Sequence, residues 1–237
     1  MRKLLIPLLS IILSACAAIK PPLSSDNQTS SSYKRPDAGA FIVLLPPEVD
    51  VYELKAGIDI LKRELHQQLS AAGYKIAIID QNSYDTIWSQ EVSIVGGIYD
   101  PVNGNLKRTE YLKALSFLVQ RISGETKATL VLRPNLVLRT AKLAGSAATW
   151  DGQQRRVPVL GSANETWRYD GTTQGLSVEL TAFSTDGALV VHSFGGASLP
   201  FRSNLLTSKN EVRPDLFAAE NELKEAVELS LKPVLGQ

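Results

Sequence analysis

One cysteine and two histidines in 237 residues exclude an intramolecular disulfide and leave too few soft ligands for a multi-cysteine metal centre. An excess of one charge is missing too. Lys and Arg total 25 against 24 for Asp and Glu, so the chain lacks the basic field of a dedicated nucleic-acid binder, and no nucleic-acid partner is expected. No apolar run reaches the roughly 20 residues that a membrane-spanning helix needs. There is no Gly-x-Ser-x-Gly elbow, no His-Glu-x-x-His pair, no Walker loop and no Gly-x-Gly-x-x-Gly after the first expected strand. What remains, at 44% hydrophobic and 21% charged residues, is the balance of a folded globular chain with no cofactor motif.

The most specific signal is at the amino terminus. Arg2 and Lys3 precede an apolar run from Leu4 to Leu13, interrupted by Pro7 and Ser10 and followed by Ser14, Ala15 and Cys16. This is the layout of a secretory signal peptide over residues 1–15. Leu13-Ser14-Ala15-Cys16 resembles the lipobox of bacterial lipoproteins, and the only cysteine stands where that motif requires it. The resemblance implies cleavage before Cys16 and lipidation of its thiol and amino group. Two or more acyl chains, at about 0.8 kcal/mol per buried methylene, make a durable anchor. By the same resemblance, Ala17 implies transfer to the periplasmic face of the outer membrane, so the membrane becomes a partner through the lipid.

Residues 16–40 have a linker composition, with Pro21, Pro22, Ser24, Ser25 and Ser30 to Ser32 and almost nothing apolar after Leu23. They are expected to form a lipidated, flexible tether. Residues 41–237 then read as a single α+β domain with a mixed sheet. Phe41 to Leu45 is a continuous apolar strand stopped by Pro46-Pro47. Leu54, Ile58, Leu61, Leu65, Leu69 and Ala72 form a helical stripe stopped at Gly73, and Tyr74 to Ile79 gives a second strand parallel to the first. A helix opened by Asp80 follows, then one with Leu112, Leu115, Val119 and Ile122 on a face, closed by Gly124.

Lys127 to Thr140 reads as a strand interrupted at Pro134, an edge position or a bulge. Asp151-Gly152, Asp170-Gly171 and Asp186-Gly187 predict three tight antiparallel hairpins, the last pairing Phe183 with Val190 and Thr181 with His192. A helix from Asp215 to Pro233 is expected to pack back on the sheet.

No catalytic or metal-binding constellation emerges. His66 falls about 120° from its helix's apolar stripe, a solvated position, and His192 lies opposite Thr181, where a strand histidine can satisfy its ring nitrogens locally. Two groups are candidate binding residues. Pro46, Pro47, Glu48 and Asp50 follow the carboxyl end of the first strand, where open α/β sheets place ligands. Trp150, Arg155, Arg156 and Trp167 combine aromatic and cationic side chains, the mixture enriched at protein- and sugar-contacting surfaces.

The tether, the strand ending Leu44-Leu45-Pro46-Pro47, the helix ending Ala72-Gly73-Tyr74 and the second strand resemble a group of envelope lipoproteins. Their core is similar to the amino-terminal domain of TolB, the penicillin-binding-protein activator lipoproteins and the curli-secretion lipoprotein. The likeness spans residues 1–140 and implies a non-catalytic binding or accessory role, with an envelope protein or the cell wall as partner. The alternatives are a wall- or glycan-acting hydrolase using Glu48 and Asp50, and an oligomeric secretion component.

Overall fold

The computed structural model describes residues 21–160, 169–204, 206 and 209–237. The elements run β1 (Gln28–Thr29), β2 (Phe41–Leu44), β3 (Glu48–Val49), a 3-10 turn (Tyr52–Gly57), α1 (Ile58–Ala71), β4 (Lys75–Ile78), α2 (Gln81–Ile94) and α3 (Arg108–Thr126). They continue as β5 (Leu130–Gly145), β6 (Ala147–Trp150), β7 (Gln153–Arg156), β8 (Val159–Leu160), β9 (Tyr169–Phe183), β10 (Leu189–Gly196), β11 (Phe201–Asn204), β12 (Lys209–Val212) and α4 (Glu220–Leu235). The fold is α+β. A mixed sheet is ordered β1-β10-β9-β5-β2-β4, with β3 and β6 also paired to β5, and β12-β11-β8 form a small second sheet.

β2, α1 and β4 make the expected parallel unit, with Ile42 beside Ile76 and Leu44 beside Ile78. Leu61, Leu65 and Leu69 of α1 and Leu223, Val227 and Leu231 of α4 cover one face of the sheet, against Ile42, Leu44, Leu132, Leu136 and Val178. Leu115, Leu118, Val119 and Ile122 of α3, with Tyr84 of α2, cover part of the other face against Val43, Val131 and Phe183. In the central strands β2 and β5, apolar residues of both alternations are therefore buried, one set under α1 and α4 and the other under α2 and α3.

Several expectations change. β5 is neither an edge strand nor broken at Pro134: it is central and pairs with β9 through Pro134 opposite Leu180. Leu132 and Leu136 turn their carbonyls toward the β2–β3 side, accepting from the N–H of Leu45 and Asp50. By two-residue alternation, the N–H that Pro134 lacks would face the same side, opposite the break that Pro46-Pro47 makes between β2 and β3. The two proline sites fit one another.

Asp170-Gly171 is not a turn. Both residues lie inside β9, paired with Ala144 and Leu143, because a fifteen-residue strand partner overrides the local dipeptide signal. Asp151 (φ 38°) and Gly152 (φ 80°) do form the two-residue turn joining β6 to β7. At Asp186-Gly187 the hairpin forms, but not as a two-residue turn: the Ser184 N–H donates to the Ala188 carbonyl at 3.0 Å, leaving Thr185, Asp186 and Gly187 in the loop, and Thr181 pairs with His192. Phe183 pairs with Leu189 rather than Val190, since a bulge between Leu189 and Val191 takes up one residue.

Gly124 does not close α3, which runs to Thr126 and stops where Lys127 turns left-handed at φ 61°. Leu112, expected on the apolar face, is exposed. α4 begins at Glu220 rather than Asp215, and Pro233 sits within its last turn, where it removes only one hydrogen bond before Gly236 ends the helix.

The expected tether is laid onto the body from residue 21 onward. Gln28 and Thr29 pair with His192 and Val191, the Tyr33 hydroxyl donates to the Val234 carbonyl at 2.8 Å, and Arg35 Nε donates to the Tyr74 hydroxyl at 3.0 Å. The polar composition that reads as a linker here supplies donors and acceptors for the otherwise open edge of β10.

Candidate binding face

On β5, Leu132, Leu136 and Leu138 go to the α1/α4 core, so Arg133, Asn135 and Arg139 point to the opposite face. On β9, Leu176, Val178 and Leu180 do the same and leave Ser177, Glu179 and Thr181 beside them. The register sets Arg133 beside Thr181 and His192, and Asn135 beside Glu179 and Phe194. α2 and α3 cover only the near end of this face. At the far end the β6–β7 hairpin curls over, the Gly196 N–H donates to the Asp151 carbonyl, and Trp150 covers Gly175 and Gly196. A polar strip is left between two apolar caps.

Its members are bonded in chains. Arg133 donates to Glu48 at 2.7 Å and to the Tyr111 hydroxyl at 2.8 Å. Asn135 accepts from the Glu48 N–H at 3.2 Å and donates to one carboxylate oxygen of Glu179 at 2.8 Å, while His192 Nε2 lies 2.7 Å from the other. Arg139 Nε donates to Asp151 at 2.8 Å, Ser177 Oγ donates to the same carboxylate at 2.7 Å, and Asp26 takes a second bond from Arg139. Next to this, the Phe194 N–H donates to Asn27 Oδ1 at 2.9 Å.

The protonation states are held in place. Burial would raise the Glu179 pKa, but hydrogen bonds from His192 and Asn135 and the charges of His192 and Arg133 hold it below the usual carboxylate range. Burial would lower that of Arg139, and the hydrogen bonds and charges of Asp26 and Asp151 raise it instead. The hydrogen bond from Arg139 is the largest influence lowering Asp26. Burial pushes the Tyr84 hydroxyl, at the covered end, up to about 12.

A cleft of about 480 Å³ lies between Pro22–Asp26 on one side and Arg139, Thr149, Trp150 and Asp151 on the other. Among the described residues, no three His, Cys, Asp or Glu side chains are grouped to hold a metal ion, and no helix is long and apolar enough to cross a membrane.

The two expected groups of binding residues fare differently. Glu48 is on the polar strip, ion-paired with Arg133. Pro46 and Pro47 are buried, and Asp50 accepts from the Leu138 N–H at 2.9 Å, so this segment continues the ladder along β5 and is not an open ligand loop. Trp150 is 5% exposed, with its indole N–H on the Leu176 carbonyl, which makes it chiefly a core residue that shows only its edge to the cleft. Arg155 bonds the Ala197 carbonyl and Glu225, and Arg156 is exposed on β7. Glu48 and Trp150 belong to different parts of the face. Cys16 and Trp167 lie outside the described residues.

Arg133, Asn135, Arg139 and Glu179 were missed as site residues. Their signal is the alternation of Arg133, Asn135 and Arg139 with Leu132, Leu136 and Leu138, a polar face on a strand that otherwise reads as buried.

No known family matches the chain, and no curated protein does. Among solved structures it is similar to two PelC dodecamers from Paraburkholderia phytofirmans, one of them a variant. Both are 11% identical and match over 88% of this chain; the variant matches over 97% of its own chain with a TM-score of 0.39, the other over 94% with 0.41. It is also similar to a protein described as a neuraminyllactose-binding hemagglutinin homolog from Helicobacter pylori, 11% identical over 88% of each chain with a TM-score of 0.35. Likenesses of this size assign no activity to the chain.

Proposed function

We propose that this chain is a non-catalytic binding or accessory module of the cell envelope, held at the periplasmic face of the outer membrane by lipid on Cys16. The observation that carries the binding reading is the state of the polar strip. Glu179 is held below and Arg139 above their ordinary pKa values, so both stay charged at neutral pH. A general acid or base needs a pKa near the operating pH, which is the opposite arrangement. Fixed charges beside a cleft suit recognition of a polar partner, an envelope protein or a wall component. Glu48 and Asp50, the carboxylates a hydrolase would use, are bonded to Arg133 and to the Leu138 N–H.

The anchor rests on the lipobox resemblance, and incorporation of labelled palmitate tests it: label is expected on the wild-type chain and not on Cys16→Ala. Labelling of neither form refutes the anchor. A soluble Cys16→Ala form used as bait is expected to retain an envelope protein or wall fragments, and to lose that partner when Arg139 is replaced by Glu. Recovery of no envelope component counts against the binding role.

A further inference from the structure

The edge of β10 is filled by the chain's own residues 24–30, and the way they are held describes a ligand. None of these residues is buried as a whole and none carries an apolar side chain, although the Asn27 amide nitrogen is itself covered. The Ser30 N–H donates to the Val190 carbonyl at 2.8 Å, Gln28 and Thr29 pair with His192 and Val191, the Asn27 side chain accepts from Phe194, and Asp26 pairs with Arg139. Backbone pairing on a sheet edge gives affinity to any extended chain, and side-chain contacts beside it give selectivity. Arg139 selects a carboxylate, and the Phe194 N–H selects a side-chain oxygen on the next residue. Beneath the segment, β10 presents the backbone groups of alternate residues Val190, His192 and Phe194.

We propose that the β10 edge together with Arg139 is a docking site for an extended acidic peptide segment of a partner, and that residues 24–30 are its displaceable occupant in cis. Because residues 24–30 carry no large apolar side chain, their release uncovers little apolar surface of their own and returns the covered Asn27 amide to water, whereas a strap with an apolar anchor would be costly to remove.

The consequence for reach rests on the lipid-anchored reading. With the strap in place, only the chain from Cys16 to Ser24 separates lipid from body, at most about 30 Å when fully extended. With residues 24–30 displaced and Tyr33 still held on the Val234 carbonyl, the limit is about 60 Å. A partner that takes the edge would therefore also free the body to stand further from the membrane.

The docking site is tested without lipid, using the chain from residue 17 onward, which retains every described residue. Asp26→Lys with Gln28→Pro releases the strap: the lysine repels Arg139, and the proline removes the N–H that alternation with Ser30 turns toward β10. The probe is a labelled synthetic peptide of residues 22–31, followed by fluorescence anisotropy. The released chain is expected to bind it at least tenfold more tightly than the parent, whose site is filled at high effective concentration.

Asp26→Asn in the peptide, or Arg139→Ala in the chain, is expected to weaken binding at least tenfold. A released chain that keeps its circular dichroism but binds no better than the parent overturns the proposal, and so does equal binding of the two peptides. Where the double substitution unfolds the chain, the parent is instead cut at a protease site placed between Ser31 and Ser32. It must then take up labelled peptide in place of the severed strap, and failure to do so overturns the proposal. Palmitate labelling of Cys16 reads the anchor separately, so the two ideas fail independently.

Discussion

The guanidinium carbon of Arg139 lies 3.8 Å from the ring centroid of Phe194, stacking a β5 cation on a β10 aromatic across the intervening β9. The same guanidinium bonds Asp151, whose side chain is 5% exposed, and Asp26 on the strap. One side chain thus joins the central strand, the β6–β7 turn and the amino-terminal segment. Arg139→Ala leaves the Asp151 carboxylate buried with only Ser177 as a partner, and is expected to cost about 2–4 kcal/mol in urea unfolding. Arg139→Lys keeps the charge but loses the planar stack and the fork, and should recover less than half of that loss. A double-mutant cycle between Arg139→Ala and Phe194→Leu is expected to show a coupling of about 0.5–2 kcal/mol. No coupling would mean that the stack contributes nothing to stability.

Trp150 distinguishes a core from a contact surface. Its ring lies over Gly175 and Gly196, where an added Cβ would come within 2.5 Å and 3.0 Å of the indole. Trp150→Ala is therefore expected to destabilise the chain by about 3–5 kcal/mol. Arg155→Ala removes a half-exposed ion pair to Glu225 and a bond to a carbonyl, and is expected to cost about 1 kcal/mol. Chemical unfolding of the two variants checks the order, and a larger loss at Arg155 would reverse the assignment of Trp150 to the core.

Local patterns made much of the first half legible. Leu61, Leu65 and Leu69 define a buried face whatever packs on it, and Gly73 marks its end by its left-handed backbone. Long-range pairing was not legible in this way. Pro134 breaks a strand in isolation and fits here where the Pro46-Pro47 pair interrupts the neighbour, while Asp170-Gly171 turns a chain unless a long partner strand holds it extended. The polar strip was the least legible. Arg133, Asn135 and Arg139 show their alternation in the sequence, but Glu179 and His192 join them only once β5, β9 and β10 are placed side by side. The strap was hidden for the reverse reason: a segment with no apolar side chain to bury reads as unattached, although its backbone can still complete an edge.

Gly195 fixes how closely α4 approaches the sheet. A Cβ there would lie 2.0 Å from the Ala226 carbonyl oxygen, and both groups belong to backbone that cannot rotate away. Gly195→Ala is expected to cost at least about 3 kcal/mol, at the upper end of overpacking effects. Gly96→Ala is the control. Its backbone is left-handed at φ 78°, but nothing lies within 4 Å of the added carbon, so only the conformational cost of about 1 kcal/mol is expected. Equal losses in thermal unfolding would contradict the close contact of α4 with β10.

Glu179 sets a pH dependence with a definite sign. Its folded pKa lies below its unfolded value of about 4.3, because the bonds from His192 and Asn135 and the charges of His192 and Arg133 outweigh burial. A carboxyl lowered in this way contributes stability that is fully present above the unfolded pKa and is lost as pH falls through the folded one. Glu179→Gln keeps the shape and one acceptor but cannot ionise. On the acid side, where the partner charges are constant, the stability difference between the parent and this variant is therefore expected to shrink as the pH drops below about 4. Melting temperatures of both forms from pH 3 to 7 measure it. A difference that grows toward acid would mean that burial, not the His192 and Asn135 bonds, controls this carboxylate.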